Sequence, residues 1–136
     1  LLSLVRKENL LNVRVFKNDS IHVLKQALPD DSLAKVQIFF PDPWHKKKHN
    51  KRRLINNAFI ALVQAKLKAE GQLHIATDWE PYAEEIADLM DSSAGFTRSE
   101  APERVLTKYE KRGLRLGHIV TDLAYTLSCP GDLLKR

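Results

Sequence analysis

Asp42 stands between Pro41 and Pro43, directly after the apolar run Val36-Gln37-Ile38-Phe39-Phe40. The proline rings fix their own φ angles and Pro43 steers Asp42 toward extended backbone, so a carboxylate is presented on a stiff turn. Residues 45–53 follow as His-Lys-Lys-Lys-His-Asn-Lys-Arg-Arg, six cations without an acid. The net charge of the 136-residue chain is +5, so these six leave the remaining residues at −1. The basic character is therefore a local patch. Concentrated positive charge suits a polyanion, because each neutralised phosphate releases counterions. The plainer reading is a solvated loop or helix face, and the run alone does not choose between the two.

Two further acids sit beside apolar runs: Asp19 after Asn12-Val13-Arg14-Val15-Phe16, and Asp78 after Gln72-Leu73-His74-Ile75-Ala76. Three carboxylates in one cleft could hold a metal, do acid–base work, or accept from the polar edge of a nucleobase or cofactor. A metal is not expected. His45 and His49 have i, i+4 spacing, but the lysines between them oppose a cation. A nuclease using Asp19, Asp42 and Asp78 with magnesium is the weaker reading of the same acids. His22, His74 and His118 stand alone and read as structural. The single cysteine, Cys129, has no disulfide or zinc partner and fits a reducing compartment; no serine sits in a nucleophile elbow. Trp44 and Trp79 each adjoin an acid, and either pack on the sheet rim or sandwich a purine.

The elements that must position these groups are legible from periodicity. Leu1 to Asn9 reads as the tail of a helix that begins further upstream. Residues 12–16 alternate as a strand, Ile21 to Leu28 carry a helical stripe stopped by Pro29, and 36–40 form a strand cut off by proline. Leu54 to Lys68 is the clearest helix, with Gly71 placed to end it. Residues 72–76 make another strand, and a helix follows with Pro81 in its first turn. Phe96 to Glu100 reads as a strand, Arg104 to Leu116 as a loop, and Ile119 to Leu127 as a last strand; Cys129 to Arg136 reads as a short frayed tail. Strand and helix alternate, which predicts one α/β domain over 1–136 with a mostly parallel sheet and helices on both faces. Ligands bind at the carboxyl edge of such sheets, and chain order places all three acids there. No uninterrupted apolar stretch reaches membrane length, so a soluble cytoplasmic protein is expected.

Three strings carry a resemblance. They are Phe39-Phe40-Pro41-Asp42-Pro43-Trp44-His45-Lys46 with Asn50-Lys51-Arg52-Arg53, Ala76-Thr77-Asp78-Trp79-Glu80-Pro81-Tyr82-Ala83, and Thr107-Lys108-Tyr109-Glu110 with Arg112-Gly113 and Leu116-Gly117-His118. In these strings the chain resembles the TrmB-type tRNA (guanine-N7)-methyltransferases, from about Asn12 to Leu127.

The resemblance implies a class I, Rossmann-like, S-adenosylmethionine-dependent methyltransferase fold whose final strand is antiparallel. It also implies methylation of a guanine N7 in the tRNA variable loop. By the same likeness Asp42 is the catalytic acid, and Asp19, Asp42 and Thr107 face the cofactor. Lys46, Asp78, Thr107, Lys108, Tyr109 and Glu110 face the substrate. Lys48, His49, Asn50, Lys51, Arg52 and Arg53 contact the RNA. The family's glycine-rich turn has no counterpart, since no Gly-x-Gly occurs in the chain. The chain is therefore expected to be the C-terminal part of the domain, truncated at its N-terminus. A non-catalytic tRNA-binding remnant or partner subunit is the alternative, and monomer and homodimer both stay open.

Overall fold

The computed structural model describes residues 2–128. Leu1 and the tail expected over Cys129 to Arg136 lie outside the described residues. Helix α1 (Leu2–Lys7) buries no side chain. Helix α2 (Ser20–Gln26) leads to strand β1 (Leu33–Phe39). A 3₁₀ helix (Lys47–Arg52) and helix α3 (Asn57–Lys66) then connect to strand β2 (Leu67–Thr77). Helix α4 (Glu80–Asp91), strand β3 (Phe96–Ser99), helix α5 (Lys108–Arg115) and strand β4 (Thr121–Leu127) complete the order.

The sheet runs β1-β2-β4-β3. β1 and β2 are parallel, and β4 is antiparallel to both β2 and β3. Three strands therefore point one way, and the last inserts between two of them in reverse, as the resemblance implies. The parallel pair is joined through α3, the crossover such a pair requires.

Alternation decides what each face holds. Leu73 and Ile75 of β2, with Leu123, Tyr125 and Leu127 of β4, join Leu24 of α2, Phe59 and Val63 of α3 and Ile86 and Met90 of α4 in one buried cluster. Helices α2, α3 and α4 thus share one face. The intervening residues His74 and Asp122 turn to the opposite face, because side chains alternate along a strand.

Three local expectations are corrected. Residues 12–16 form no strand: they enter no ladder, and Val15 and Phe16 are exposed, so their backbone lacks the pairing that defines a strand. Gly71 does not end α3, which stops at Lys66; it lies within β2. There the register jumps from Leu33↔Leu67 to Lys35↔Gln72. A Cβ on Gly71 would stand 2.8 Å from the Lys68 carbonyl oxygen, so the bulge excludes a side chain. Finally, the expected loop over 104–116 contains α5, whose first turn is closed by a capping box between Thr107 and Glu110.

Candidate functional site at the carboxyl edge of β1 and β2

The ladder between β1 and β2 pairs Phe39 with Ala76, and the Phe40 N–H continues it by donating to the Ala76 carbonyl at 2.8 Å. The chains leaving these strands therefore start side by side, and Asp42 and Asp78 lie on neighbouring turns. Phe40 (φ 55°) and Trp44 (φ 44°) both adopt left-handed backbone, which costs a non-glycine residue about 1–2 kcal/mol. Asp42 stabilises this turn by accepting the Trp44 N–H on Oδ1 at 2.9 Å, and its side chain remains exposed.

Asp78 is drawn into a pocket. Its Oδ2 accepts the Tyr109 hydroxyl at 3.1 Å and lies 3.2 Å from His118 Nδ1. Loss of hydration, and then the bond to Asp78, push the Tyr109 phenol above its ordinary pKa. The Tyr109 ring packs on Phe40 at 4.9 Å, and His45 stacks on Trp79 at 4.2 Å. Pro43, His45, Asp78, Trp79, Tyr109 and His118 together line a pocket of ≈ 280 Å³. Trp79 Nε1 is buried beside it without a partner among the described residues. His118, which reads as structural in the sequence, is thus part of this pocket.

Asp19 takes a different role. It caps α2, accepting the Ile21 N–H on Oδ1 at 2.8 Å. Asn18 and Ser20 beside it border a concavity that reaches Phe39 on β1, so the α2 N-terminus lies along the same edge. Among the described residues no hydrogen bond joins Asp19 to the pocket around Asp78.

The basic run divides by burial. Lys46, Lys48, Lys51 and Arg52 are exposed, and His49 and Asn50 are half-buried. The Arg52 guanidinium lies 5.3 Å over the Trp44 ring, and His49 meets that ring edge-on at 5.9 Å. Arg53 is the exception, since its side chain turns inward. Only 5 % exposed, it pairs with Glu85, donates from Nε to the Pro43 carbonyl at 2.5 Å and lies 4.8 Å over Tyr82. It ties the Asp42 turn to α4.

Segment 104–110 is fastened over the sheet by a charge network that sequence reading missed. Arg104 donates to both carboxylate oxygens of Glu110 (2.5 and 2.9 Å) and both of Asp122 (2.8 and 3.0 Å), and lies 4.8 Å over Phe39. Asp122 Oδ2 also lies 2.6 Å from Nε2 of the fully buried His74. Partial burial opposes ionisation of Asp122, but the bonds from Arg104 and His74 outweigh it and hold its carboxyl below the ordinary range. Bonds from Glu110 and Asp122 raise the Arg104 pKa further, so it stays charged. Glu110 is buried, with its carboxylate on Arg104 and the helix cap. Thr107 caps α5 by accepting the Glu110 N–H at 3.0 Å, while Lys108 is exposed. The only sequence signal for the network was the Thr107-x-x-Glu110 spacing.

Among the described residues no group of acids, histidines and cysteines could hold a metal ion, and no helix is long and apolar enough to cross a membrane. Against known proteins, the chain is 47% identical over 133 residues to the tRNA (guanine-N(7)-)-methyltransferase of Alcanivorax borkumensis, covering 92% of this chain and 56% of that one. It is 48% identical over 132 residues to the enzyme of the same name from Escherichia coli strain UTI89, covering 91% and 55%. The chain thus spans about half the length of these relatives. A SAM-dependent O-methyltransferase from Thermotoga maritima shares the fold at 14% identity, with a TM-score of 0.53 over 93% of this chain and 44% of that one. A family model described as "Putative methyltransferase" matches residues 1–123. With β4 inserted antiparallel between β2 and β3 and a carboxylate turn after β1, the chain belongs to this family of methyltransferases.

Proposed function

We propose that the protein acts in the transfer of a methyl group from S-adenosylmethionine to guanine N7 of tRNA, and that residues 1–136 form the acceptor-side, C-terminal part of one class I domain. The observation that carries the reading is the pairing of Asp42 and Asp78 on adjacent parallel strand ends, beside a base-sized pocket and an exposed row of cations. The curated relatives' name supports the substrate.

Asp42 presents an exposed carboxylate whose Oδ2 has no partner among the described residues, and Thr107 keeps a hydroxyl proton to donate. These fit the side of a sulfonium nucleoside that faces the acceptor; Asp19 retains one oxygen beyond its cap. S-adenosylmethionine, when bound, supplies an electrophilic methyl carbon.

This chain's residues do the rest. Guanine N7 carries a free lone pair, so no strong base is required; alignment and charge balance dominate. In the pocket, the Asp78 carboxylate accepts from the guanine N–H edge, with Tyr109 and His118 fixing its orientation. The rings of His45 and Trp79 offer a stacking wall. Asp42 balances the positive charge that develops on the purine. Lys46, Lys48, Lys51 and Arg52 contact phosphates and set the register without reading sequence. A tRNA substrate and a single cysteine fit the cytoplasm.

The test is nucleoside mass spectrometry of tRNA incubated with the full-length gene product and S-adenosylmethionine. N7-methylguanosine should form, and Asp42→Ala should abolish it while circular dichroism stays unchanged. Salt-sensitive tRNA binding without any methylation would overturn the catalytic reading and leave a binding protein.

A further inference from the structure

Helix α5 carries a second basic surface, separate in sequence from residues 45–53. Lys108, Lys111, Arg112 and Arg115 are spaced i, i+3, i+4 and i+7, which places all four on one side of the helix. All four are exposed, and none pairs with an acid among the described residues. Together with Leu116 they line a shallow concavity of ≈ 520 Å³.

Like charges at these spacings repel by about 0.2–0.5 kcal/mol per pair, an effect the helix dipole offsets for the cations of the last turn but not for Lys108 near the first. Such a face gains most from an external anion that bridges several cations at once.

Its location decides which anion. Tyr109, beside Lys108, contacts both Phe40 and Asp78, and His118 just beyond the helix touches Asp78 as well. The same pocket is lined by His45, two residues before the 3₁₀ helix of lysines. The two cationic surfaces therefore flank one pocket. The buried Arg104–Glu110 pair fixes the start of α5, so the flank is held in place.

We infer that the Lys108–Arg115 face of α5 is a second phosphate-contacting surface, which grips the sugar–phosphate backbone of the RNA whose base enters the Asp78 pocket. The inference rests on the proposed tRNA reading. From Lys108 to Arg115 the helix rises about 10 Å, enough to reach more than one phosphate of a strand.

Binding of fluorescent tRNA to the chain, followed by anisotropy over a series of KCl concentrations, tests it. The variants are a triple Lys111→Gln, Arg112→Gln, Arg115→Gln, which keeps helix propensity, and a triple Lys47→Gln, Lys48→Gln, Lys51→Gln. Each triple should weaken binding at least tenfold and reduce the slope of log affinity against log salt by about 2. Charge removal on α5 that leaves affinity and slope unchanged, while removal on the 3₁₀ helix lowers both, would overturn this inference alone. If α5 instead loses binding to polyglutamate but keeps binding to tRNA, its partner is an acidic protein and the inference fails. A chain that binds no tRNA in any salt overturns the tRNA reading itself, and this inference with it. Circular dichroism of each variant confirms that loss of binding is not loss of fold.

Discussion

Arg104 and Asp122 meet through two parallel hydrogen bonds, Nε to Oδ2 at 2.8 Å and Nη2 to Oδ1 at 3.0 Å, joining the segment before α5 to strand β4. The same guanidinium binds Glu110, so one side chain bridges two carboxylates. Bidentate pairs of this kind are directional as well as strong.

Arg104→Met is expected to be among the costliest single changes in the described region. Glu110 is 5% exposed and would be left as an uncompensated charge. Breaking one partner of a buried pair costs about 3–5 kcal/mol, and the partial exposure of Asp122 puts the expectation at the lower end of that range. Urea unfolding of the variant at neutral pH measures it. A loss under about 1 kcal/mol would mean that the network contributes no more than a surface pair.

Acid should act through the same group. The Asp122 carboxyl is held below its ordinary range when folded, so between the folded and unfolded values the unfolded chain binds more protons. Its stabilising contribution is then complete above the unfolded value and is lost as pH falls through the folded one. Stability should therefore decline from about pH 5 downward, and Asp122→Asn should flatten that decline while lowering stability at pH 7. Denaturation midpoints from pH 7 to pH 3 for both proteins make the comparison. An identical acid limb in the variant would exclude Asp122 as its source.

Periodicity made most of the frame legible. The apolar spacing over Leu54 to Lys68 locates α3, and the β-branched and aromatic runs locate β1, β2 and β4. The Asp42 turn was readable because two prolines restrict it without help from tertiary structure. What failed depends on partners distant in sequence. Residues 12–16 have strand composition, but a strand needs a neighbouring backbone. Arg53 looks like its cationic neighbours in sequence, and only Glu85, Tyr82 and the Pro43 carbonyl make it an internal anchor. Helix α5 was hidden because its single buried face consists of Glu110 and Gly113, so no apolar stripe marks it.

The start of α5 depends on a short-range device that can be removed cleanly. Thr107 accepts the Glu110 N–H, and Glu110 in turn accepts from the Thr107 backbone. Thr107→Ala should cost about 1 kcal/mol, whereas Thr107→Ser should cost much less. Thermal unfolding of the two variants distinguishes the cap from loss of the methyl group. If serine is as damaging as alanine, the hydroxyl is not what matters.

Arg52 and Arg53 are adjacent and chemically identical, so they offer the sharpest test of burial against charge. Arg52 is exposed over Trp44, where a cation–π contact is worth about 0.5–1 kcal/mol. Arg53 is buried, and its removal orphans the Pro43 carbonyl as well as one side of the Glu85 pair. Glu85 is partly exposed and can be rehydrated, so Arg53→Met should cost about 2–3 kcal/mol rather than the full value for a buried pair. Arg52→Gln should change stability by less than about 1 kcal/mol, and should instead reduce the salt dependence of tRNA binding by roughly one contact. The two residues would then separate along two measurements, unfolding free energy and salt slope. If Arg53→Met proves as stable as the parent and Arg52→Gln unfolds it, the assignment of one arginine to the fold and the other to the RNA is reversed.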